Sequence, residues 1–347
     1  MFTGLTGGGS GVHPRPRLVA ALLLVVTGCS HAPPPAPAAA KVERRDEWIR
    51  ALRSDVERIG TEDGFEGQIR VLHDGKPEIE RTFGEAGCLP LGTGRRVIAS
   101  VTVALLVQDG KLGWEDRLDR LLPELFESPV GQLRLSDLLT DAAGLAFTQG
   151  DSVEQRLEAA ERMPLQAAPG TRVDPDDDRP WLLVERIVAQ VSGGPFERFA
   201  RERVISPAGM TGTALGSSAA CPVAAQGATT VDDQLRLVDA LRKATVVTPA
   251  TRDALWAPRL SLGSGSEMAY GFFVRTAGVQ RAVGVGSTGG APAYELWLDP
   301  AGSDALVLLG RTPARTARAM RTALGEFYAL PPALPHPSAA PRRPPSK

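Results

Sequence analysis

The order of hydrophobic patterns predicts an α+β fold in which one antiparallel sheet is built from both chain ends and an all-helical lobe is inserted between them. Two observations lead there. A strand hairpin follows the first helical stretch, and strand-like runs then vanish until about residue 270. Between Arg95 and about Leu260 helical periodicity dominates, so the strands of the two ends must find each other. A cleft between the sheet and the helical lobe is the expected place for a site.

Residues 42–59 form an amphipathic pattern, with Trp48, Ile49, Leu52, Val56 and Ile59 on one stripe. Residues 67–73 and 78–83 read as two strands around Asp74-Gly75, a turn pair suited to a tight hairpin. Helices are expected over 97–109, 155–163, 181–192 and 196–205, joined by loops rich in Gly, Pro and Asp. Strands are expected again over 270–275, 280–286, 294–298 and 305–309. A closing helix over 313–330 carries Met320, Leu324 and Phe327 on its core face.

The ends bound the compartment. Arg15 and Arg17 precede a short apolar run that stops at Val26-Thr27-Gly28-Cys29, so residues 1–28 read as a secretory signal peptide. The run is too short for a bilayer span. Residues 29–41 form a Pro/Ala linker behind Cys29, and residues 331–347 form a Pro-rich tail of no core-forming pattern. That leaves a body of 42–330, with a sheet lobe (42–87 and 262–330) and a helical lobe (88–261). A net charge of −1 gives no reason to expect nucleic acid. Cys88 and Cys221 either pair or remain two thiols; both readings stay open.

Several phrases then resemble one family, the class C β-lactamase and D-Ala-D-Ala peptidase group of penicillin-recognising serine hydrolases. They include the Gly64-Phe-Glu-Gly opening and Val107-Gln-Asp-Gly-Lys-Leu-Gly-Trp-Glu-Asp-Arg-Leu118. Leu133-Arg-Leu-Ser-Asp-Leu-Leu-Thr-Asp-Ala-Ala-Gly-Leu145 is similar too, with Asp141 where the family has histidine. So are Pro169-Gly-Thr-Arg172 and Ile205-Ser-Pro-Ala-Gly-Met-Thr-Gly-Thr213. The resemblance implies a β-lactamase/transpeptidase-like fold. The lipobox-like Val26–Cys29 phrase resembles bacterial lipoproteins, which implies lipidation of Cys29, membrane attachment through it, and an exported protein.

The resemblance also implies three catalytic elements. The first is Ser-x-x-Lys, in which the amine takes the hydroxyl proton. None is present: the five lysines are Lys41, Lys76, Lys111, Lys243 and Lys347, and none follows a serine by three. Ungapped counting puts the motif on Thr93-Gly94-Arg95-Arg96, whereas wording puts it on Ser100-Val-Thr-Val103. Arginine keeps its proton, and valine has none to exchange. The second element is Tyr-x-Asn. Its stretch is Asp174-Pro-Asp-Asp-Asp-Arg-Pro-Trp181, with the tyrosine position on Pro175 or Asp176 and, in the latter case, Asp178 at the asparagine position. The third survives only as Ser287-Thr288-Gly289, without its cation. Histidine supply closes another route: His13, His31, His73 and His336 leave no triad inside the body.

Asp174, Asp176, Asp178 and Glu185 reproduce a calcium-loop spacing, but Arg179 stands where that loop wants glycine. A solvated acidic loop paired with Arg172 or Arg179 is the plainer reading. No cofactor is implied. The leading expectation is a lipid-anchored envelope protein without catalysis, which holds a peptidoglycan fragment or an envelope protein or has a structural role. The alternatives are a serine hydrolase using Ser100 or Thr93 with an unorthodox base, and a calcium-dependent adhesion-like module. Arg95–Arg96 paired with Asp176–Asp178 across the cleft would favour the first.

Overall fold

Eight strands form one fully antiparallel sheet whose spatial order crosses from one end of the chain to the other. The computed structural model describes residues 38–85, 89–216, 227–263, 265–277, 280–286, 293–311, 315–316 and 319–320, with side chains from Ile49 onward except at 277 and 280. Two units separate along the chain, Met1–Arg45 and Asp46–Lys347; of the first, the described residues are the opening turns of a helix.

The helices in chain order are α1 (Ala38–Glu62), α2 (Gly94–Gln108), α3 (Leu118–Leu121), α4 (Leu135–Leu139), α5 (Val153–Glu161), α6 (Arg179–Ser192), α7 (Phe196–Ala200), α8 (Val231–Arg242) and α9 (Pro249–Leu255). The strands are β1 (Gly67–His73), β2 (Lys76–Phe83), β3 (Leu89–Pro90), β4 (Ala228–Thr229), β5 (Leu260–Gly263), β6 (Ser266–Met268), β7 (Phe273–Ala277), β8 (Gln280–Gly286), β9 (Ala293–Leu298) and β10 (Ala305–Gly310). The large sheet runs β2-β1-β10-β9-β8-β7-β6-β5. β1 therefore pairs with its hairpin partner β2 on one side and with β10 on the other, Gly67 opposite Gly310.

Burial follows from that order. β9 and β10 lie inside the sheet and are buried along their whole length, which is why they read as nearly continuous apolar runs. One face packs on Leu52, Val56 and Ile59 of α1 together with Met320; the other packs on α2, α6 and α8. α2 is apolar almost all round because it runs through the middle of the helical lobe. α6 begins with Pro180 in its first turn and stops at Gly193, whose φ of +74° suits a left-handed cap.

The predicted hairpin is present, as are the helices near 155, 181 and 196 and the strands 280–286 and 305–309, with boundaries shifted by a few residues. Four differences stand out. α2 begins three residues earlier than expected, because Gly94-Arg95-Arg96 carries no apolar signal yet forms its first turn. Tyr270 lies in a turn before β7 rather than in a strand, stacked on Trp114 at 4.4 Å. β5 and β6 were not foreseen, and β3 pairs with β4 inside what was expected to be an all-helical lobe. The stretch 196–205 changes from α-helix to a π turn at Arg201–Ile205. Of the closing helix, residues 315–316 and 319–320 are described, and they are helical.

Candidate functional site

The start of α2 is set on a buried aromatic platform. Backbone bonds from Gly94, Arg95 and Arg96 to Leu91, Gly92 and Thr93, at 2.9–3.0 Å, wind the first turn. The Tyr294 ring lies so close beneath it that a Cβ on Gly94 would come within 2.5 Å of a ring carbon. Tyr294 is buried and donates its hydroxyl proton to Gln234 at 2.5 Å; burial raises its pKa well above the usual phenol range. Thr93 stands half-buried just before this turn, and its side chain makes no capping bond.

Arg95 and Arg96 leave the turn in different directions. Arg95 is bound by Glu185 at 2.5 Å and Glu197 at 2.7 Å, and its guanidinium covers the Phe196 ring. Arg96 enters the loop ahead of α6. It donates to the Pro175 carbonyl at 2.6 Å and to Asp178 at 2.5 Å, reaches the Asp177 carbonyl at 3.4 Å, and lies 3.7 Å from Asp141. Only 9% of Arg96 is exposed. Burial works against its charge, but Asp141 and Asp178 outweigh that and raise its pKa further.

Asp141 lies beneath the arginine. Its backbone is left-handed at φ +52°, it accepts the Trp181 indole proton at 2.7 Å, and its carbonyl accepts from the Asp174 amide at 2.7 Å. Burial pushes the Asp141 carboxyl up to about 7, against the pull of Arg96 and the Trp181 bond. A second arginine ties down the same loop. Arg179 grips both Asp177 oxygens at 2.8 Å, the Ala146 carbonyl at 2.7 Å and Thr148 at 3.0 Å. Chemically this is a knot of arginine donors on carbonyls and carboxylates, with Trp181 as one wall.

Ser100 occupies another environment altogether. It is 0% exposed inside α2, and its hydroxyl has no hydrogen-bond partner. It abuts Gly271, where a Cβ would come within 1.9 Å of the Ser100 oxygen. Gly271 in turn has φ +74° and donates its amide to Leu139 at 2.6 Å, so the contact is fixed from both sides. Among the described residues neither Thr93 nor Ser100 donates to a carboxylate.

The acidic residues with calcium-like spacing go to separate arginines. Asp174 faces Arg172 at 3.7 Å, Asp178 faces Arg96, and Glu185 faces Arg95; Asp176 is exposed. Arg95 therefore pairs with glutamates of α6 and α7, while Arg96 does meet Asp178. Among the described residues, His73, Asp74 and Asp304 come within metal-binding reach of one another. The two ring nitrogens of His73 face different carboxylates, Asp304 at 2.8 Å and Asp74 at 2.9 Å, so the imidazole joins two turns. Ser287, Thr288, Gly289, Cys29, Cys88 and Cys221 lie outside the described residues. Sequence reasoning noted Asp141 and Trp181 but missed that they meet under Arg96. The aspartate standing at a histidine position was the available signal.

The family model for Beta-lactamase matches residues 95–328, well over half of the chain. A Bacillus subtilis (strain 168) protein provisionally named penicillin-binding protein PbpX is 25% identical over 164 residues, covering 43% of this chain and 41% of that protein. An Escherichia coli (strain K12) protein provisionally named D-alanyl-D-alanine carboxypeptidase is 31% identical over 129 residues, 31% of this chain and 29% of that one. The matched stretch thus spans less than half the length of either relative. In structure, a penicillin binding protein from Bacillus halodurans superposes with a TM-score of 0.65 at 16% identity, over 80% of this chain and 100% of that chain, which speaks to fold alone. On the family model, the fold and the relatives together, the chain belongs to the beta-lactamase family, whose serine-hydrolase scaffold it has.

Proposed function

We propose that this chain is a non-catalytic member of its family, a lipid-anchored envelope protein whose former catalytic turn serves as a clamp. The observation that carries the reading is Arg96. It stands one helical turn after Thr93, where ungapped counting puts the family's proton-accepting lysine, and it is held by Pro175, Asp178 and Asp141. A guanidinium so bound has no proton-free nitrogen to offer. The other hydroxyl candidate, Ser100, is packed against Gly271 and out of reach of a substrate. Loss of a general base is worth roughly a hundred-fold or more in rate. The loop carboxylates Asp174, Asp176, Asp177 and Asp178 would also repel an acidic peptide terminus.

The envelope assignment rests on the leader-like residues 1–28 with Cys29, and on relatives named for penicillin binding and D-alanyl-D-alanine carboxypeptidase activity. A peptidoglycan fragment or an envelope protein is the proposed partner class. The test is intact-mass spectrometry of the membrane-extracted protein after long incubation with penicillin and with a fluorophosphonate. No adduct, on protein shown to be folded, is the expected result. A covalent adduct mapped to Thr93 or Ser100 would overturn the reading in favour of a serine hydrolase with a non-standard base. The same spectra report whether the chain begins at an acylated Cys29.

A further inference from the structure

A cavity of about 460 Å³ opens on the helical lobe between α5, α6 and the start of α7. Its floor is apolar: Leu157 and Phe196 are 3% exposed, with Leu182, Ala189 and Pro195 beside them. Its rim is acidic. Glu154, Glu158, Glu161, Glu185 and Glu197 line it, against Arg186 alone. Neighbouring arginines do not balance them. Arg95 is shared by Glu185 and Glu197, Arg162 faces Glu158, and Arg186 is shared by Glu161 with Glu124 outside the lining. With Arg156 beside Glu154, six carboxylates thus meet four guanidiniums. Glu154 at the mouth is held below the usual carboxylate range by its own amide and the Ser152 hydroxyl, so it stays ionised.

The chain carries a segment of matching chemistry. Residues 331–347, outside the described residues, contain seven prolines, the basic residues Arg342, Arg343 and Lys347, and no acid. Proline-rich chain enters the extended polyproline conformation at little entropic cost, and such segments dock in grooves floored by aromatic and apolar side chains. Exposed Pro195 and half-buried Leu182 and Ala189 supply that floor here, the Phe196 ring being covered by Arg95. Reach is no obstacle. With residues 321–330 counted as the helix the sequence predicts, at about 1.5 Å per residue, and the rest as extended chain at about 3.1 Å, the span from Met320 to Arg342 covers roughly 50 Å, against a radius of gyration of roughly 20 Å for a body of this size.

We infer that the acidic groove of α5, α6 and α7 is the seat of the chain's own basic, proline-rich segment 331–347, with Arg342 and Arg343 on the glutamate rim. The occupant is covalently attached, so its effective concentration is high and modest contacts suffice. Being electrostatic at its rim, the seating weakens with salt.

Zero-length carbodiimide cross-linking of the full-length chain, followed by peptide mapping, tests this, because Lys347 is the segment's one side-chain amine. A link from Lys347 to Glu154 or Glu158 is expected. It should fall at least five-fold in the Arg342→Glu/Arg343→Glu variant, which keeps the amine, and should fall again in high salt. Mixing ¹⁴N- and ¹⁵N-labelled protein should give links within single chains. Links scattered over other acidic surfaces, links unaffected by the double substitution, links only between differently labelled copies, or no link at all would each overturn the assignment.

Discussion

The Arg96 guanidinium and the Asp141 carboxylate lie 3.7 Å apart, with at most a tenth of either side chain in contact with water. Arg96 has closer partners in Asp178 and the Pro175 carbonyl, and Asp141 in the Trp181 indole, but this is the contact in which both charges are buried. An ion pair of this kind adds little over a well-packed apolar pair, but removing one partner strands the other charge out of water.

Arg96→Ala is therefore expected to lower stability by about 3 kcal/mol, toward the lower end of the range for a broken buried pair, since Asp178 is half exposed and can rehydrate. Arg96→Lys should recover part of that loss. A single ammonium cannot reach Pro175, Asp178 and Asp141 together as the planar fork does. Urea midpoints should rank wild type above Arg96→Lys above Arg96→Ala. The lysine variant also sets an amine one turn after Thr93, yet it should give no penicillin adduct, because Asp141 and Asp178 keep the amine protonated. Equal midpoints for all three proteins would remove the clamp.

Asp141 gives stability a direction with pH. Its folded pKa of about 7 lies above the ordinary carboxylate value of 3.8, so the folded state binds the proton more tightly than the unfolded state does. Stability from this group is greatest below pH 4, declines as pH rises through the window between 4 and 7, and is flat above it. Asp141→Asn keeps an oxygen for the Trp181 indole but has no titration. Its stability relative to wild type should rise by more than about 1.4 kcal/mol between pH 4 and pH 7.5, the worth of one pKa unit. Parallel denaturation curves across that range would contradict the assignment.

Ser100→Ala should be neutral or raise stability by about 1 kcal/mol, because it deletes a buried hydroxyl that has no partner. Gly271→Ala should cost about 2 kcal/mol or more, through collision with the Ser100 oxygen and the left-handed backbone at Gly271. Combining the two should recover part of the glycine substitution's cost, the non-additivity expected of residues in contact. Calorimetry of the four proteins measures it. A strongly destabilised Ser100→Ala would mean that the hydroxyl is bonded after all.

The sheet was legible because its strands are of two readable kinds. β1 alternates buried and half-buried residues around a turn marked by Asp74-Gly75, and β10 is an unbroken apolar run. β5 and β6 escaped because Leu260–Gly263 and Ser266–Met268 are short; β5 turns Ser261 to solvent at the sheet's edge, and β6 buries a polar Ser266. The start of α2 escaped for a related reason: its first turn is a glycine and two arginines whose burial comes from partners far away in sequence. Hydrophobic periodicity reports side chains that avoid water, and says nothing of a charge that is buried because another charge meets it. Arg96 with Asp178 was legible as one of the outcomes to look for. Asp141 beneath Arg96, and Glu197 beside Arg95, needed the fold.

Gly67 opposite Gly310 sets the order in which the molecule can assemble. The β1–β2 hairpin forms locally and early, but the edge of β1 that carries its remaining backbone donors and acceptors stays open until β10 arrives. Nearly the whole intervening chain must first be made and gathered, so closing this loop sets the pace of folding. A nascent chain remains incomplete in its central sheet, and a chain cut before β10 presents an unpaired strand edge beside an uncovered apolar face, the surface on which misassembly with other copies begins.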